Sequence, residues 1–246
     1  LSVRRLFLGG FLPGFLTVAG LMVVHSIYYR IRNYNMPLEK FSLKELVKTS
    51  VKSFPALVMP FIILFGIILG VFTPTESGIA ASLYGLFYGF VISKNLTLKK
   101  LPQIFIKSAV TTSVVMITIA MAGVLANILV RLNFQNSMVT IAVEGIGNPY
   151  WASLVIMLFL LILGCFMDPP VIIAMFSSAL LAAGTAMGFD PIHFGIFMVI
   201  VMQLGAITPP VGAFLFISCS IAEIPLEKSI RVLLPFFFVI FFVTIL

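Results

Sequence analysis

Two interruptions of apolar sequence are the places in this chain where chemistry is expected. The first is residues 164–170, Gly-Cys-Phe-Met-Asp-Pro-Pro, and the second is residues 207–212, Ile-Thr-Pro-Pro-Val-Gly. Proline lacks the backbone N–H and clashes with the preceding helical turn, so no unbroken helix passes through either segment. In a bilayer such open backbone is tolerated only where protein surrounds it or a cavity adjoins it. The pair therefore predicts a binding site near the middle of the membrane.

The helix ends at these interruptions present unpaired carbonyl oxygens. Carbonyl ends attract cations, and an all-oxygen ligand set without imidazole or thiolate suits a hard cation such as Na⁺. If the two interruptions meet, backbone carbonyls, the Thr208 hydroxyl and the Asp168 carboxylate would surround one ion. The predicted Na⁺ ligands are Gly164, Cys165, Phe166, Met167, Asp168, Gly205, Ile207, Thr208 and Gly212. Capping the next helix is the alternative role for Asp168.

The helices that resume after the proline pairs direct positive N-terminal ends at the same space, which favours a carboxylate substrate. The predicted substrate-binding residues are Asp168, Pro169, Pro170, Gln203, Thr208, Pro209, Pro210 and Val211. The Gln203 amide, one turn before the second interruption, would donate either to substrate or to a neighbouring carbonyl. No organic cofactor is expected, and Na⁺ would serve as the coupling ion.

The composition places these segments in a membrane protein. Of the 246 residues, 61% are hydrophobic and 9% are charged, whereas soluble domains have about 25% charged residues. The mean hydropathy is +1.20. Because a spanning helix needs about 17 to 25 residues, the chain has room for roughly seven or eight membrane segments. The expected fold is all-α and polytopic, embedded in the lipid bilayer.

The charge of the chain indicates topology and not a nucleic-acid partner. The formal net charge is +7, but the Lys and Arg residues fall in short connections between apolar segments, as the positive-inside rule describes. No nucleic acid is expected to bind. Cys165 and Cys219 lie in apolar sequence without the spacing of a metal or redox motif, so packing is their expected role.

The apolar segments predict how the interruptions are held. Tyr150–Phe166 and Val171–Met187 each have the length of a minimal span, and the joint between them carries no Lys or Arg. We predict a re-entrant hairpin over 150–187 and a broken helix over 191–222. The predicted domains are a scaffold with a cytoplasmic amphipathic arm (1–149), a transport part (150–222), and a cytoplasmic turn with a last membrane helix (223–246).

Two local patterns organise the first half of the chain. Lysines at 44, 48 and 52 lie opposite apolar residues that include Phe41 and Leu46, which predicts an amphipathic helix in the membrane interface with a span over 54–72 after it. Residues 73–76, Thr-Pro-Thr-Glu, predict a capping box at the start of a helix that ends near Ile92.

Four motifs occur in this order: 72–76 (Phe-Thr-Pro-Thr-Glu), 167–169 (Met-Asp-Pro), 190–196 (Asp-Pro-Ile-His-Phe-Gly-Ile) and 208–212 (Thr-Pro-Pro-Val-Gly). In order and spacing they resemble the large membrane subunit of the TRAP (tripartite ATP-independent periplasmic) transporters, over nearly the whole chain. Two positions depart from the family. Val201 stands where many relatives carry Asn, and Phe214 stands where polar residues are common.

The resemblance implies an elevator-type secondary transporter of the ion-transporter superfamily, driven by Na⁺ and located in the bacterial inner membrane. It implies two partners, a soluble periplasmic substrate-binding protein and a small four-helix membrane subunit. It also implies that this chain is the C-terminal portion of the subunit, with the second hairpin and the second broken helix, and that a first inverted repeat precedes it.

The residues and the resemblance together predict Na⁺-coupled uptake of a small organic carboxylate without covalent chemistry. The resemblance implies a substrate of the C4-dicarboxylate, sialic acid or 2-oxo acid class. The alternative within transport is a Na⁺/dicarboxylate symporter that needs no binding protein. An intramembrane hydrolase would need a nucleophile with a base, or a metal site, at depth, but Asp168 is the one acid predicted at mid-membrane. A passive channel would differ by a conductance that does not saturate.

Overall fold

The computed structural model describes residues 1–32, 42–209 and 212–245, and within these ranges the chain forms helices and turns without a strand. The helices are α1 (Val3–Arg32), α2 (Leu43–Ile68), α3 (Pro74–Phe87), α4 (Leu101–Arg131), α5 (Phe134–Thr140), α6 (Pro149–Phe166), α7 (Pro169–Ala186), α8 (Pro191–Ala206), α9 (Ala213–Ala222) and α10 (Leu226–Ile245). α3 and α5 continue as π-helical turns, Tyr88–Ile92 and Ile141–Ile146. The predicted all-α fold is confirmed.

Six of the described helices are long and apolar enough to cross a membrane: α1, α2, α4, α6, α7 and α10. α8 is a shorter apolar helix, because it ends at the second proline pair. The chain is therefore a multi-pass helical membrane protein, as its composition predicted.

The amphipathic stretch and the second span, predicted separately, form one continuous helix in the structure. α2 begins after Ser42, whose hydroxyl accepts a hydrogen bond from the Glu45 N–H at 3.3 Å, and it runs to Ile68. Residues 43–54 contain no glycine, so the helix meets no C-terminal signal at the predicted boundary. Pro55 lies inside α2 without ending it. Phe41, assigned to the amphipathic stretch, lies outside the described residues.

The capping box before α3 is confirmed. The Thr73 hydroxyl oxygen accepts a hydrogen bond from the Glu76 N–H at 3.3 Å, and the Glu76 carboxylate accepts one from the Thr73 N–H at 2.7 Å. Pro74 is the first helical residue, where its missing N–H costs no helical hydrogen bond. A local sequence signal alone therefore determines where α3 begins.

The described residues form two compact units, and the smaller contains Ser2–Leu8 and the described part of Asn33–Ser113. Its centre is the antiparallel pair α2 and α3. The Tyr84 hydroxyl donates to the Pro55 carbonyl at 2.6 Å, and Gly66 lies beside the Ser77 side chain near the other end of the pair.

The larger unit contains Leu1, Gly9–Arg32 and the described part of Val114–Leu246, and it holds the main apolar core. α8 packs against both α6 and α7. The core side chains of these three helices are Ala152, Ile156, Met157, Leu160, Ile172, Phe176, Leu180, Ala183, Phe194, Met198, Val201 and Met202. A Cβ at Gly184 would lie 2.6 Å from the Phe194 ring, so glycine is what lets α8 approach α7. The helix that ends at the second interruption is thus the central element of the unit.

Two further helices pack in this unit. Gly9 of α1 lies against Ile196 of α8, and Gly20 of α1 lies against Val239 of α10. Small residues permit such close approach between membrane helices.

Candidate functional site

The two interruptions lie next to each other, where α6 crosses α8. A Cβ placed on Gly205 would lie 2.7 Å from the Gly164 Cα, and a Cβ on Gly164 would lie 2.9 Å from the Gly205 Cα. Both glycines are buried. Any side chain at either position would push the two helices apart. The juxtaposition that a shared ion site requires is therefore present in the fold.

Hydrogen bonds join the end of α6 to the connection between α8 and α9. The Gly212 N–H donates to the Cys165 carbonyl at 3.1 Å, and the Cys165 thiol donates to the Pro209 carbonyl at 3.5 Å. Cys165 and Cys219 are both free and buried, which agrees with packing and backbone roles. Cys165, which belongs to the first interruption, thus forms hydrogen bonds with two residues of the second interruption.

The prolines after α6 remove two donors from its last turn, because each helical N–H normally donates to the carbonyl four residues earlier. Pro169 leaves the Cys165 carbonyl without its helical donor, and Gly212 supplies a replacement at 3.1 Å. Pro170 does the same to the Phe166 carbonyl. No N–H of the described residues donates to that carbonyl. The Phe166 carbonyl oxygen is therefore open to a ligand.

The prolines after α8 have the same effect. Pro209 deprives the Gly205 carbonyl of its helical donor, and the Thr208 N–H replaces it at 2.8 Å. Pro210, although its own placement lies outside the described residues, has no N–H to give to the Ala206 carbonyl. Across the described ranges no other N–H reaches that oxygen. Among the carbonyls that lose a helical donor to a proline, those of Phe166 and Ala206 receive no replacement N–H from the described chain.

The Thr208 hydroxyl is half-buried at the end of α8. It donates to the Leu204 carbonyl at 2.6 Å, and that carbonyl also receives the Ile207 N–H at 3.3 Å. Since the hydroxyl proton is used inside the helix, the oxygen lone pairs of Thr208 remain for a cation or another donor.

Asp168 and Asp190 both precede a proline at a helix start, yet their side chains behave differently. The Asp190 carboxylate caps α8 by accepting hydrogen bonds from the N–H groups of Ile192 at 2.8 Å and His193 at 3.0 Å. The Asp168 carboxylate is exposed on this chain and makes no cap bond with α7. The alternative capping role for Asp168 is therefore absent, and its carboxylate is available to a ligand.

The two resuming helices do not offer equal anion-binding ends. α7 begins with two prolines, which carry no N–H, and its next two N–H groups, of Val171 and Ile172, donate to the Asp168 carbonyl at 3.0 and 3.2 Å. α9 begins after Gly212, which has no capping side chain. Within the described chain no acceptor bonds the N–H groups of residues 213–215. Within the described residues, α7 therefore has fewer free N–H groups for an anion than α9.

The other predicted site residues surround the crossing to different degrees. Pro169 is buried, Met167, Ile207 and Pro209 are half-buried, and Phe166, Pro170 and Gln203 are exposed. Pro210 and Val211 lie outside the described residues. In the described part of the chain no three His, Cys, Asp or Glu side chains gather as metal ligands. A cation here would thus rely on backbone and hydroxyl oxygens with at most the Asp168 carboxylate.

The sequence did not identify the residues that pack against each other where α6 crosses α8. The Leu161 carbonyl would lie 2.9 Å from a Cβ on Gly205, and the Met202 carbonyl would lie 3.0 Å from one on Gly164. The signal for this contact was a glycine in the last turn of each broken helix, five residues before Pro169 and four before Pro209.

Two interrupted helices that meet inside a multi-pass helical membrane protein define the type of site found in secondary transporters. Residues 1–246 match the family model described as "Tripartite ATP-independent periplasmic transporter, DctM component". The chain belongs to this family. The resemblance drawn from the four motifs is confirmed.

Three relatives illustrate the relationship. The chain is 38% identical over 98% of its length to the uncharacterized protein YgiK of Salmonella typhimurium, of which it covers 55%. It is 34% identical over 97% of its length to the C4-dicarboxylate TRAP transporter large permease protein DctM of Pseudomonas aeruginosa, of which it covers 56%. It is 34% identical over 98% of its length to the sialic acid TRAP transporter large permease protein SiaM of Vibrio cholerae, of which it covers 56%.

The chain thus spans about half the length of the curated relatives it matches. Two of these three relatives are named as permeases, which are transporters and not enzymes. This agrees with the prediction of transport without covalent catalysis.

Proposed function

We propose that this chain is part of the large permease subunit of a TRAP transporter that takes up a small organic carboxylate together with Na⁺ across the bacterial inner membrane. The observation that carries the proposal is the contact of the two interrupted helices at Gly164 and Gly205. Relatives named for C4-dicarboxylate and for sialic acid support a carboxylate as the substrate. A periplasmic binding protein would deliver the substrate, and a small four-helix membrane subunit would complete the complex.

In this proposal Na⁺ binds between the interruptions through oxygen atoms alone. The carbonyls of Phe166 and Ala206 have lost their helical donors to the proline pairs, and the Thr208 hydroxyl keeps its lone pairs. The Asp168 carboxylate makes no hydrogen bond to the start of α7 that would have to break before it could bind Na⁺. These are hard ligands, which suit Na⁺ and not a soft transition metal.

The substrate carboxylate would bind beside the ion at the N-terminal end of α9. A cation and a positive helix end together offset the cost of removing a carboxylate from water. Coupling follows from this proximity. Because linkage is reciprocal, Na⁺ raises the affinity for substrate by the same factor by which substrate raises the affinity for Na⁺.

Alternating access by an elevator movement completes the proposal. α8 carries the second interruption and packs against α6 and α7, so the hairpin and the broken helix would move as one body. α1 contacts α8 and α10 within the same unit, so α1 and α10 would move together with the hairpin and the broken helix. The division of the chain at residues 149 and 222 stays a prediction.

Replacing Thr208 by valine keeps the shape of the side chain and removes the oxygen. We expect the Na⁺ concentration for half-maximal uptake to rise about tenfold, because one interaction with a charged ligand contributes about 1.5 to 3 kcal/mol. The measurement is Na⁺-dependent uptake by the full-length permease, reconstituted with its membrane and periplasmic partners, at constant ionic strength. Thr208→Ser retains the hydroxyl and is the matched control, with Na⁺ dependence near that of the wild type.

The same assay tests the remaining parts of the proposal. Asp168→Asn should also weaken the Na⁺ dependence, and unchanged Na⁺ affinity in both Thr208→Val and Asp168→Asn would remove the ligand assignment. Uptake that persists without the binding protein would instead indicate a symporter that works alone.

A further inference from the structure

The smaller unit carries two groups of exposed lysines. One group lies on the first turns of α2 and the other on the connection after α3. We call these six residues the lysine surface: Lys44, Lys48, Lys52, Lys94, Lys99 and Lys100. Neither group takes part in the site at the helix interruptions.

The fold brings the two groups to the same end of the unit. α2 and α3 are antiparallel, since Tyr84 bonds Pro55 while Gly66 lies beside Ser77. The chain therefore approaches the start of α2 as it leaves α3, and the π-helical turn after α3 still contacts α2. The connection that follows this turn therefore starts from the end of the unit at which α2 begins.

The α2 lysines form a stripe next to an apolar one. They are spaced four residues apart, so they share one face of the helix. Leu43, Val47 and Val51 form the neighbouring stripe and are 68%, 52% and 68% exposed. An apolar stripe bordered by cations is typical of a helix segment at a membrane surface, where apolar side chains meet the acyl boundary and ammonium groups meet the headgroups.

The position of these lysines within α2 is unfavourable for the helix by itself. Lys44 lies in the first turn, where the helix dipole is positive, with Glu45 as the acid of that turn, and the three lysines at i, i+4 spacing repel one another. Cations stabilise the opposite end of a helix. An anion bound at this end would offset the repulsion among the lysines and their repulsion by the dipole.

The connection after α3 is held in a defined conformation. The Ser93 N–H donates to the Tyr88 carbonyl at 2.8 Å, and the Leu96 N–H donates to the Gly89 carbonyl at 3.1 Å. The Leu96 side chain packs on Gly89, where a Cβ would lie 3.0 Å away. This arrangement leaves Leu98 76% exposed among the lysines of the connection. It repeats the combination on α2, an exposed apolar residue beside cations.

We propose that the lysine surface binds the anionic headgroups of membrane phospholipids. Lipid fits this surface because its anionic headgroup complements the lysines and its acyl chains can contact the exposed leucine and valine side chains. A free anion or a nucleic acid would leave those apolar side chains exposed. α2 also continues from these lysines into apolar sequence without a break, so the lysines occupy one end of a candidate membrane span. Bound lipid would fix this end of the smaller unit at one leaflet.

The test is lipid binding to the purified full-length permease in detergent, measured by native mass spectrometry. The added probes are phosphatidylglycerol, phosphatidylcholine and inorganic phosphate. We expect phosphatidylglycerol to bind at least about tenfold more tightly than phosphatidylcholine, and the triple variant Lys44→Gln, Lys48→Gln, Lys52→Gln to lose about a hundredfold, at about fivefold per lysine. The triple variant with arginine at these positions keeps the charge and should keep the binding.

Each other result would overturn the proposal. Equal phosphatidylglycerol binding by the glutamine and arginine variants would show that these charges do not hold lipid. Competition by inorganic phosphate at matched concentration would indicate a free-anion site. If the glutamine variants stop binding an acidic protein partner while their lipid binding is unchanged, the lysine surface is a protein interface. Should the α2 variant unfold, Lys99→Gln with Lys100→Gln on the connection gives the same test, with about a twenty-fivefold loss expected.

Discussion

Replacing Gly205 by alanine is expected to abolish uptake. The new Cβ would lie 2.7 Å from the Gly164 Cα and 2.9 Å from the Leu161 carbonyl oxygen, both of them backbone atoms that cannot rotate away. α6 and α8 would have to separate, which costs about 1 to 3 kcal/mol as overpacking of a core. Separation also displaces the oxygens of the two interruptions from each other, so we expect transport to fall by more than the loss of stability alone predicts.

The measurement combines uptake by the reconstituted transporter with the thermal unfolding midpoint of the purified permease. Gly123→Ala is the control, because among the described residues no atom outside the adjoining helix backbone lies within 4 Å of a Cβ at that position of α4. It should leave both quantities near the wild-type values. Normal uptake by Gly205→Ala would show that the crossing does not position the site.

Replacing Gly212 by alanine is expected to have the second largest effect. Gly212 has φ of +40° and lies where a Cβ would be 2.7 Å from the Thr208 carbonyl oxygen. A left-handed conformation costs an L-residue about 1 to 2 kcal/mol before any contact is counted. The strain acts on the residue whose N–H bonds the Cys165 carbonyl at 3.1 Å. Breaking that bond would free the connection from α6, and we expect Na⁺-dependent uptake to fall at least about tenfold.

Gly188→Ala separates the effect of backbone strain from the effect of losing the hydrogen bond to Cys165. Gly188 also has a positive φ, of +90°, but nothing lies within 4 Å of its Cβ position. Its alanine variant should lose stability and keep the Na⁺ dependence of uptake. If the two variants reduce uptake equally, backbone strain alone explains the effect and the bond to Cys165 is not needed.

The ends of the helices that carry the site were largely predictable from the sequence. They depend on the positions of the prolines and on the lengths of the apolar segments, which are both local features. The first hairpin arm was predicted to end at Phe166, and α6 ends there. The second arm was predicted over 171–187, and α7 covers Pro169–Ala186. The capping box at Thr73 was predictable for the same reason, since all its atoms lie within four residues.

Two features of the helix starts were not predicted from the sequence, although the residues that cause them are close in the chain. Asp168 and Asp190 share an Asp-Pro pattern, but Pro170 removes one of the two N–H groups that Asp190 finds at the start of α8, and Asp168 makes no cap bond. Both helix ends after the proline pairs were expected to attract an anion. The hydrogen bonds of Val171 and Ile172 to the Asp168 carbonyl occupy the first N–H groups of α7, so the proposal places the carboxylate at α9.

The most direct test of the central claim, that Na⁺ binds between the two interruptions, is the alkylation rate of Cys165. Its thiol bonds the Pro209 carbonyl and its carbonyl accepts from Gly212, so an ion that holds the interruptions together should shield it. Peptide mass spectrometry after maleimide treatment of the full-length permease gives the rate, with Cys219 of α9 as the internal control.

At a Na⁺ concentration ten times its Kd, with choline as the comparison cation at equal ionic strength, Cys165 should react about tenfold more slowly. Cys219 should react at an unchanged rate, and Thr208→Val, with its tenfold weaker Na⁺ binding, should reduce the protection of Cys165 to about twofold. Equal Cys165 rates in Na⁺ and choline would contradict the account.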